Sequence, residues 1–241
     1  MPTFVHYIPI VTTIIALSLA VSLGRRYRER GGPHLLWWTI GALTYAAGTA
    51  VEASVTLFGW NEWLFRAWYI TGALLGGAPL AQGAVYLHLS RRAANTLSAV
   101  LVAVVLTASV FVLMTPIQYD LVETHRLTGR VMAWTWVRAF SPFINLYAFV
   151  FLVGGAIKSA VQFWRRRETR LRAEGNALIA VGALLPGIGG SFTRFGYTEV
   201  LYVTEFLGII LIYLGYRRAT RAPAVLESST NDVPYAAPAV R

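Results

Sequence analysis

The chain has no cysteine, one lysine (Lys158) among 21 basic residues, and only 13% charged residues over 241 positions. Without cysteine, disulfides, thiolate metal centres and cysteine nucleophiles are excluded. The charge content falls far below the roughly 25% of soluble domains. Histidine is also scarce. His6, His34, His88 and His125 are the full set, and none has a partner one helical turn away, so no haem pair, metal site or other cofactor is expected. GxSxG, HExxH and aspartate-rich stretches do not occur, which removes common hydrolase and prenyl-transfer chemistry. No catalytic residue is assigned, and an enzyme is the least supported class.

What is present is apolar sequence: 56% of residues are hydrophobic. They form seven runs, near 4–23, 35–58, 64–89, 96–115, 131–163, 175–194 and 198–216. Each has roughly the 20 residues that cross a hydrocarbon core of about 30 Å. The sequence thus predicts an all-α integral membrane protein, a seven-transmembrane-helix bundle over 1–221 with a disordered cytoplasmic tail over 222–241. The remaining connections are too short for a soluble domain, which rarely falls below about 40 residues.

The net charge of +10 follows topology. Arg25, Arg26, Arg28 and Arg30 follow the first run, Arg91 and Arg92 the third. Arg165, Arg166, Arg167, Arg170 and Arg172 follow the fifth, and Arg217, Arg218 and Arg221 the seventh. Every second connection is basic, so these lie in the cytoplasm and the N-terminus outside. No basic residue precedes Phe4–Leu23, so this run reads as an anchor rather than a cleaved signal. No basic face stands apart from these loops, so nucleic acid is not an expected partner. The lipid bilayer is. Arginine in place of lysine fits a GC-rich bacterial genome, hence a multi-pass protein of a bacterial plasma membrane.

Ionisable residues inside spans carry the chemical information, because a charge near the bilayer centre costs about 2.5–3.5 kcal/mol even on permissive scales. Glu52, Arg138 and Glu205 each fall about 10 Å below the outer surface at 1.5 Å per residue, and Arg138 is expected to pair with one of the carboxylates. Helical spacing adds Tyr45, Thr49 and Thr56 beside Glu52, and Tyr69, Gln82 and Tyr86 on the third span. It places Ser141, Pro142 and Asn145 beside Arg138, and Thr198 and Tyr202 beside Glu205. One reading is an outward-opening polar pocket whose ligand-binding residues are Glu52, Tyr69, Gln82, Arg138, Asn145, Tyr202 and Glu205. The other is a hydrogen-bonded core that locks the helices together. Arg66 and Arg194 lie nearer the outer surface, as pocket rim or as snorkelling side chains. The QYDLVETHRLTGR connection reads as a solvated loop. Pro79, Pro142 and Pro186 predict breaks in the third, fifth and sixth helices. No lysine occurs in the seventh span, which removes the usual Schiff-base position of a retinal protein.

A faint repeat pairs Gly41-Ala42-Leu43 and Gly48 with Gly182-Ala183-Leu184 and Gly189, and Phe58-Gly59-Trp60 with Phe195-Gly196-Tyr197. Chance recurrence in apolar sequence is the competing explanation. As a parallel repeat, it resembles the small PQ-loop and sugar-efflux carriers, without their paired proline-glutamine motif.

The stretch WWTIGALTYAAGTAVEASVTLFGWNEWLFRAWYITGALLGGAPLAQGAVYL carries Trp38, a small-residue run to Glu52, Trp68-Tyr69 and Pro79 before a polar helix end. It resembles the seven-helix sensor region at the N-terminus of some bacterial histidine kinases. The resemblance implies sensing of an extracellular or membrane-borne signal. No kinase domain follows Arg221, so it also implies a separate cytoplasmic output protein. The leading expectation is a receptor-like sensor that binds a small molecule or lipid. A small solute carrier and a structural or assembly subunit of a membrane complex are the alternatives. The inner half of the seventh helix, FLGIILIYLG, and the aliphatic fourth helix predict a packed floor below the pocket.

Overall fold

A computed structural model describes residues 4–124, 126–165, 170–193 and 195–221. Those residues are helical apart from turns, loops and two isolated β-bridges. Six helical stretches are long and apolar enough to cross a membrane: 4–30, 62–88, 91–114, 135–164, 170–193 and 198–220. The tail expected to be disordered, with Arg166, Arg167 and Arg194, lies outside the described residues.

The elements are α1 (Ile8–Arg30), α2 (Pro33–Phe58), α3 (Glu62–Trp68), α4 (Ala78–His88), α5 (Arg91–Met114), α6 (Phe140–Ala148), α7 (Gly154–Trp164), α8 (Arg170–Thr193) and α9 (Thr198–Arg221). The π-helical segments Tyr69–Leu74 and Phe149–Val153 interrupt the stretches running from α3 to α4 and from α6 to α7. α2 is as long as the others but polar along one face. Tyr45, Thr49, Glu52 and Thr56 are all buried there, so the stripe turns inward as helical spacing requires. Ala16, Leu19, Ala20 and Leu23 of α1 pack on Leu35, Ala42 and Ala46 of α2 and on Ile209 and Ile212 of α9. The outward faces are apolar instead: Val11, Ile14, Leu17 and Val21 on α1, and Val100, Val102, Leu106 and Val110 on α5, are exposed. Such continuous apolar surface on several helices is what lipid contact demands.

Glycine sets the closest helix contacts. A Cβ on Gly182 would lie 2.6 Å from the Gly208 carbonyl oxygen, and one on Gly208 2.7 Å from that of Gly182. Gly175 and Gly215 repeat the arrangement at the other end of the same seam. Gly41 and Gly48 of α2 also make close approaches, to Leu80 and Gly72 of the following helical stretch, though without reciprocal glycine–carbonyl contacts. Both halves of the faint repeat therefore use their glycines to approach the next helix in sequence.

Three sequence expectations need correction. The fifth span does not begin as helix at 131: the connection before it is largely exposed, as a solvated loop should be, but Leu127, Val131 and Met132 are buried in the core. The Gln118 amide donates to the Val131 carbonyl and Ala133 to Pro116, folding the segment back on itself. This consumes residues assigned to the fifth span, so regular helix starts only at Phe140. Pro142 consequently sits in the first turn of α6, where no amide bond is lost, and the interruption comes at Phe149–Val153 instead. Pro186 lies within α8 without ending it. Pro79 does follow a break, at Leu75–Gly77. There the freed Ala73 carbonyl accepts from Ser141 Oγ at 3.1 Å and Asn145 Nδ2 at 3.3 Å. Non-helical backbone inside a bundle requires such partners. Replacing Asn145 with Leu should cost about 0.5–1.5 kcal/mol, the net worth of a hydrogen bond that is not fully buried, measured as a lower melting midpoint in detergent. A change below a few tenths would show that Ser141 alone suffices.

Candidate functional site

The seven residues expected to line one pocket are distributed over five environments. Glu52 and Glu205 come together between α2 and α9. Glu52 is 2% exposed, and its Oε1 accepts from Trp68 Nε1 at 2.9 Å. Its carboxyl is within hydrogen-bonding reach of that of Glu205. Oε2 of each is buried without a donor. Tyr45 donates its phenol to the Glu205 backbone oxygen at 2.9 Å, and Tyr202 packs edge-on against His6. Thr13 and Thr49 share a hydroxyl hydrogen bond of 2.8 Å alongside.

The other four residues have separate roles. Tyr69 belongs to an aromatic core with Phe65 and Trp68. Gln82 is fully buried near the opposite end of the bundle. It donates to the Ala94 carbonyl at 3.0 Å and Ser98 Oγ at 2.7 Å and accepts from the Tyr147 hydroxyl. Asn145 serves the break at Ala73. Arg138 lies exposed in the short 3-10 turn Thr135–Ala139, so it pairs with neither carboxylate, because the folded connection delays the start of the helix. Arg66, expected at a rim, is instead buried. Its guanidinium donates to the Val112 and Thr115 carbonyls at the end of α5 and pairs with Glu62 at 2.7 Å. The Glu62 carboxylate in turn accepts from Tyr119 and thereby raises that phenol's pKa above its ordinary value.

The carboxyl pair lines neither the shallow groove at Tyr86, Ser98 and Leu106 nor the cavity at the other end of the bundle. That cavity, of about 460 Å³, lies where the arginine clusters gather. Its apolar inner wall includes Leu19, Leu80, Leu152 and Ile212, and its polar groups are Arg26, His34, His88, Ser159, Gln162 and Asn176. The expected packed floor is therefore hollow at this end. The apolar layer of Ala42, Tyr45, Ala46 and Ile209 belongs to the core that separates the cavity from the carboxyl pair.

Several local features hold the cavity open. Trp38 occupies space that a Cβ on Gly83 would fill, at 2.2 Å from its ring. Its Nε1 donates to the Leu80 carbonyl at 3.1 Å. His34 packs edge-on to Trp38. His88 bridges from the Ala84 carbonyl at 2.8 Å to Ser159 Oγ at 3.1 Å, with Gly155 giving its ring room. Arg26 lies 6.0 Å over the Tyr216 ring. No carboxylate is among the described lining residues. Sequence reasoning missed this site because its members come from six helices, with polar groups near helix ends where snorkelling explains them equally well. The run of small residues at Ala84, Gly155, Ala156 and Ala219 was the available signal. Its volume falls within the roughly 300–1,000 Å³ of small-molecule sites. No known protein family, curated protein or solved structure matches the chain.

Proposed function

We propose that the chain crosses a bacterial plasma membrane seven times and is a receptor-like binding module. Its ligand is a small anionic amphiphile or lipid held in the cavity at its cytoplasmic end. The cavity carries this reading: it has an apolar body, with Arg26, His34 and His88 and no described carboxylate around its polar part. That pattern suits an anionic head above an apolar tail.

The seventh crossing rests on α2. Its 26 residues extend about 39 Å at 1.5 Å per residue, and its polar face is sheltered by α1, α3 and α9. If α2 did not cross, Arg25–Arg30 and Arg91–Arg92 would fall on opposite sides of the membrane, against the positive-inside bias. The arginine-rich face around the cavity mouth then suits a cytoplasmic output protein. Ligand occupancy would act through unequal affinity for two helix arrangements, with the interruptions at Tyr69–Leu74 and Phe149–Val153 as pivots.

The test uses laurate, an anionic amphiphile, with the full chain in lipid nanodiscs. Saturable binding should weaken about tenfold or more in Ala156→Trp, a loss of at least 1.4 kcal/mol, and remain unchanged in Tyr202→Phe. Equal binding by wild type and Ala156→Trp would remove the cavity as the site. The glycines at corresponding positions of α2 and α8, each close to the next helix, favour a second reading, a small carrier built from two parallel repeats. Counterflow of labelled laurate in proteoliposomes would select it over the receptor.

A further inference from the structure

The Glu52–Glu205 contact is separate from the cavity, and its oxygens lack what each needs. Glu52 Oε1 has its donor in Trp68, but Oε2 of both residues is buried and unpartnered. Buried acceptors without donors are rare in native structures. None of the ion pairs among the described residues involves either carboxyl.

Among the described residues, the cations nearest this end are engaged elsewhere or exposed. Arg66 is held by Glu62 and the end of α5. Arg126 binds Glu123 and the Thr193 carbonyl. His6 lies 3.9 Å from Glu199 and packs on Tyr202, and Arg138 is exposed. The titratable groups that do face the pair are Tyr45 from α2, with its hydroxyl given to the Glu205 backbone, and Tyr202 from α9, with Glu199 beyond it. From α3 comes only the neutral Trp68 indole. Two ionised carboxylates in contact within such a site repel strongly, and like-charge pairs relieve this by retaining a proton.

We propose that Glu52 and Glu205 form a proton-binding site in which one proton is held between the two carboxyl groups, joining α2 to α9 by a carboxylic acid–carboxylate hydrogen bond. The proton bonds to one Oε2 and is donated to the other, so a single proton satisfies both orphaned oxygens and removes one of two buried charges. Its release leaves two carboxylates in contact, which must then separate. The α2–α9 contact at the end opposite the cavity is therefore conditional on proton occupancy. A packing device alone would not need this, since an amide and a carboxylate make the same hydrogen bond without binding a proton.

The test is infrared spectroscopy of the full chain in nanodiscs at pH 7, comparing H₂O with D₂O. The wild type should show a deuteration-sensitive C=O band of a protonated carboxyl, unchanged by added sodium chloride. Glu52→Gln and Glu205→Gln should each lose it, because the introduced amide becomes the donor and the remaining carboxyl ionises. Three results would overturn the site: no such band in the wild type, its loss on adding sodium, or its persistence in either variant. The first two need no variant and stand even if a substitution impairs folding. They are also independent of laurate binding, so failure here and failure of the cavity reading are distinguishable.

Discussion

Replacing Arg66 with Met is expected to destabilise the protein by about 1.5–3 kcal/mol, the range for losing buried hydrogen bonds to a charged group, since its partner Glu62 is itself a third exposed. Arg66 is 5% exposed and performs two tasks. It neutralises Glu62 and supplies hydrogen bonds to the Val112 and Thr115 carbonyls. Those groups lie at the C-terminus of α5, where carbonyls lack intrahelical partners and the helix dipole favours a cation. α5 packs sparsely on the bundle, with exposed Val100, Leu106 and Val110, so this polar latch secures its end. For a chain of this size the melting midpoint should fall by on the order of 10 °C. Glu62→Gln should cost only about 1–2 kcal/mol, since the carbonyl contacts persist. A loss below about 1 kcal/mol for Arg66→Met would mean that the guanidinium reaches solvent, as exposed pairs do.

A comparable loss is expected from Gly182→Val. The α8–α9 seam has no room for a side chain, since a Cβ at Gly182 would lie 2.6 Å from the Gly208 carbonyl oxygen and 2.9 Å from the Ile212 amide nitrogen. Both are backbone atoms, so relief requires the helices to part. Overpacking costs typically about 1–3 kcal/mol and occasionally more, and here the close approach itself holds the helices together. Gly182→Ala should destabilise in the same direction, despite the roughly 1 kcal/mol it gains in helix propensity. Gly187 faces open space within 4 Å, so Gly187→Ala should stabilise slightly. Thermal melting of the three variants in one detergent decides the matter. A neutral Gly182→Val would show that α8 and α9 do not approach as closely as this.

The helical architecture was legible because it rests on local periodicity and on long apolar runs. The inward stripe Tyr45, Thr49, Glu52 and Thr56 followed from the 3.6-residue turn, and the juxtaposition of Glu52 with Glu205 from their similar distance to helix ends. The error at Arg138 had a definite cause. Counting depth from an apolar run assumes that the run is helix, and Val131, Met132 and Trp134 are apolar because they pack into the core without forming regular α-helix. Gln82 and Asn145 were assigned to the pocket because polarity inside a span does not distinguish a ligand site from a hydrogen-bond partner for backbone. The break at Ala73 that Asn145 serves is a tertiary fact. The cavity was invisible for the opposite reason: it is defined by what Ala84, Gly155 and Ala156 leave empty across several helices.

The absence of cysteine allows a direct test of a seven-span bundle hollowed at its cytoplasmic end. Single cysteines at Ala156, which lines the cavity, and at Ala53, buried near the carboxyl pair, would be challenged with a membrane-impermeant maleimide. Ala156→Cys should label in inside-out vesicles and not in right-side-out ones, with laurate slowing the reaction, while Ala53→Cys labels in neither. Labelling of Ala156→Cys from the outside would contradict both the orientation and the site.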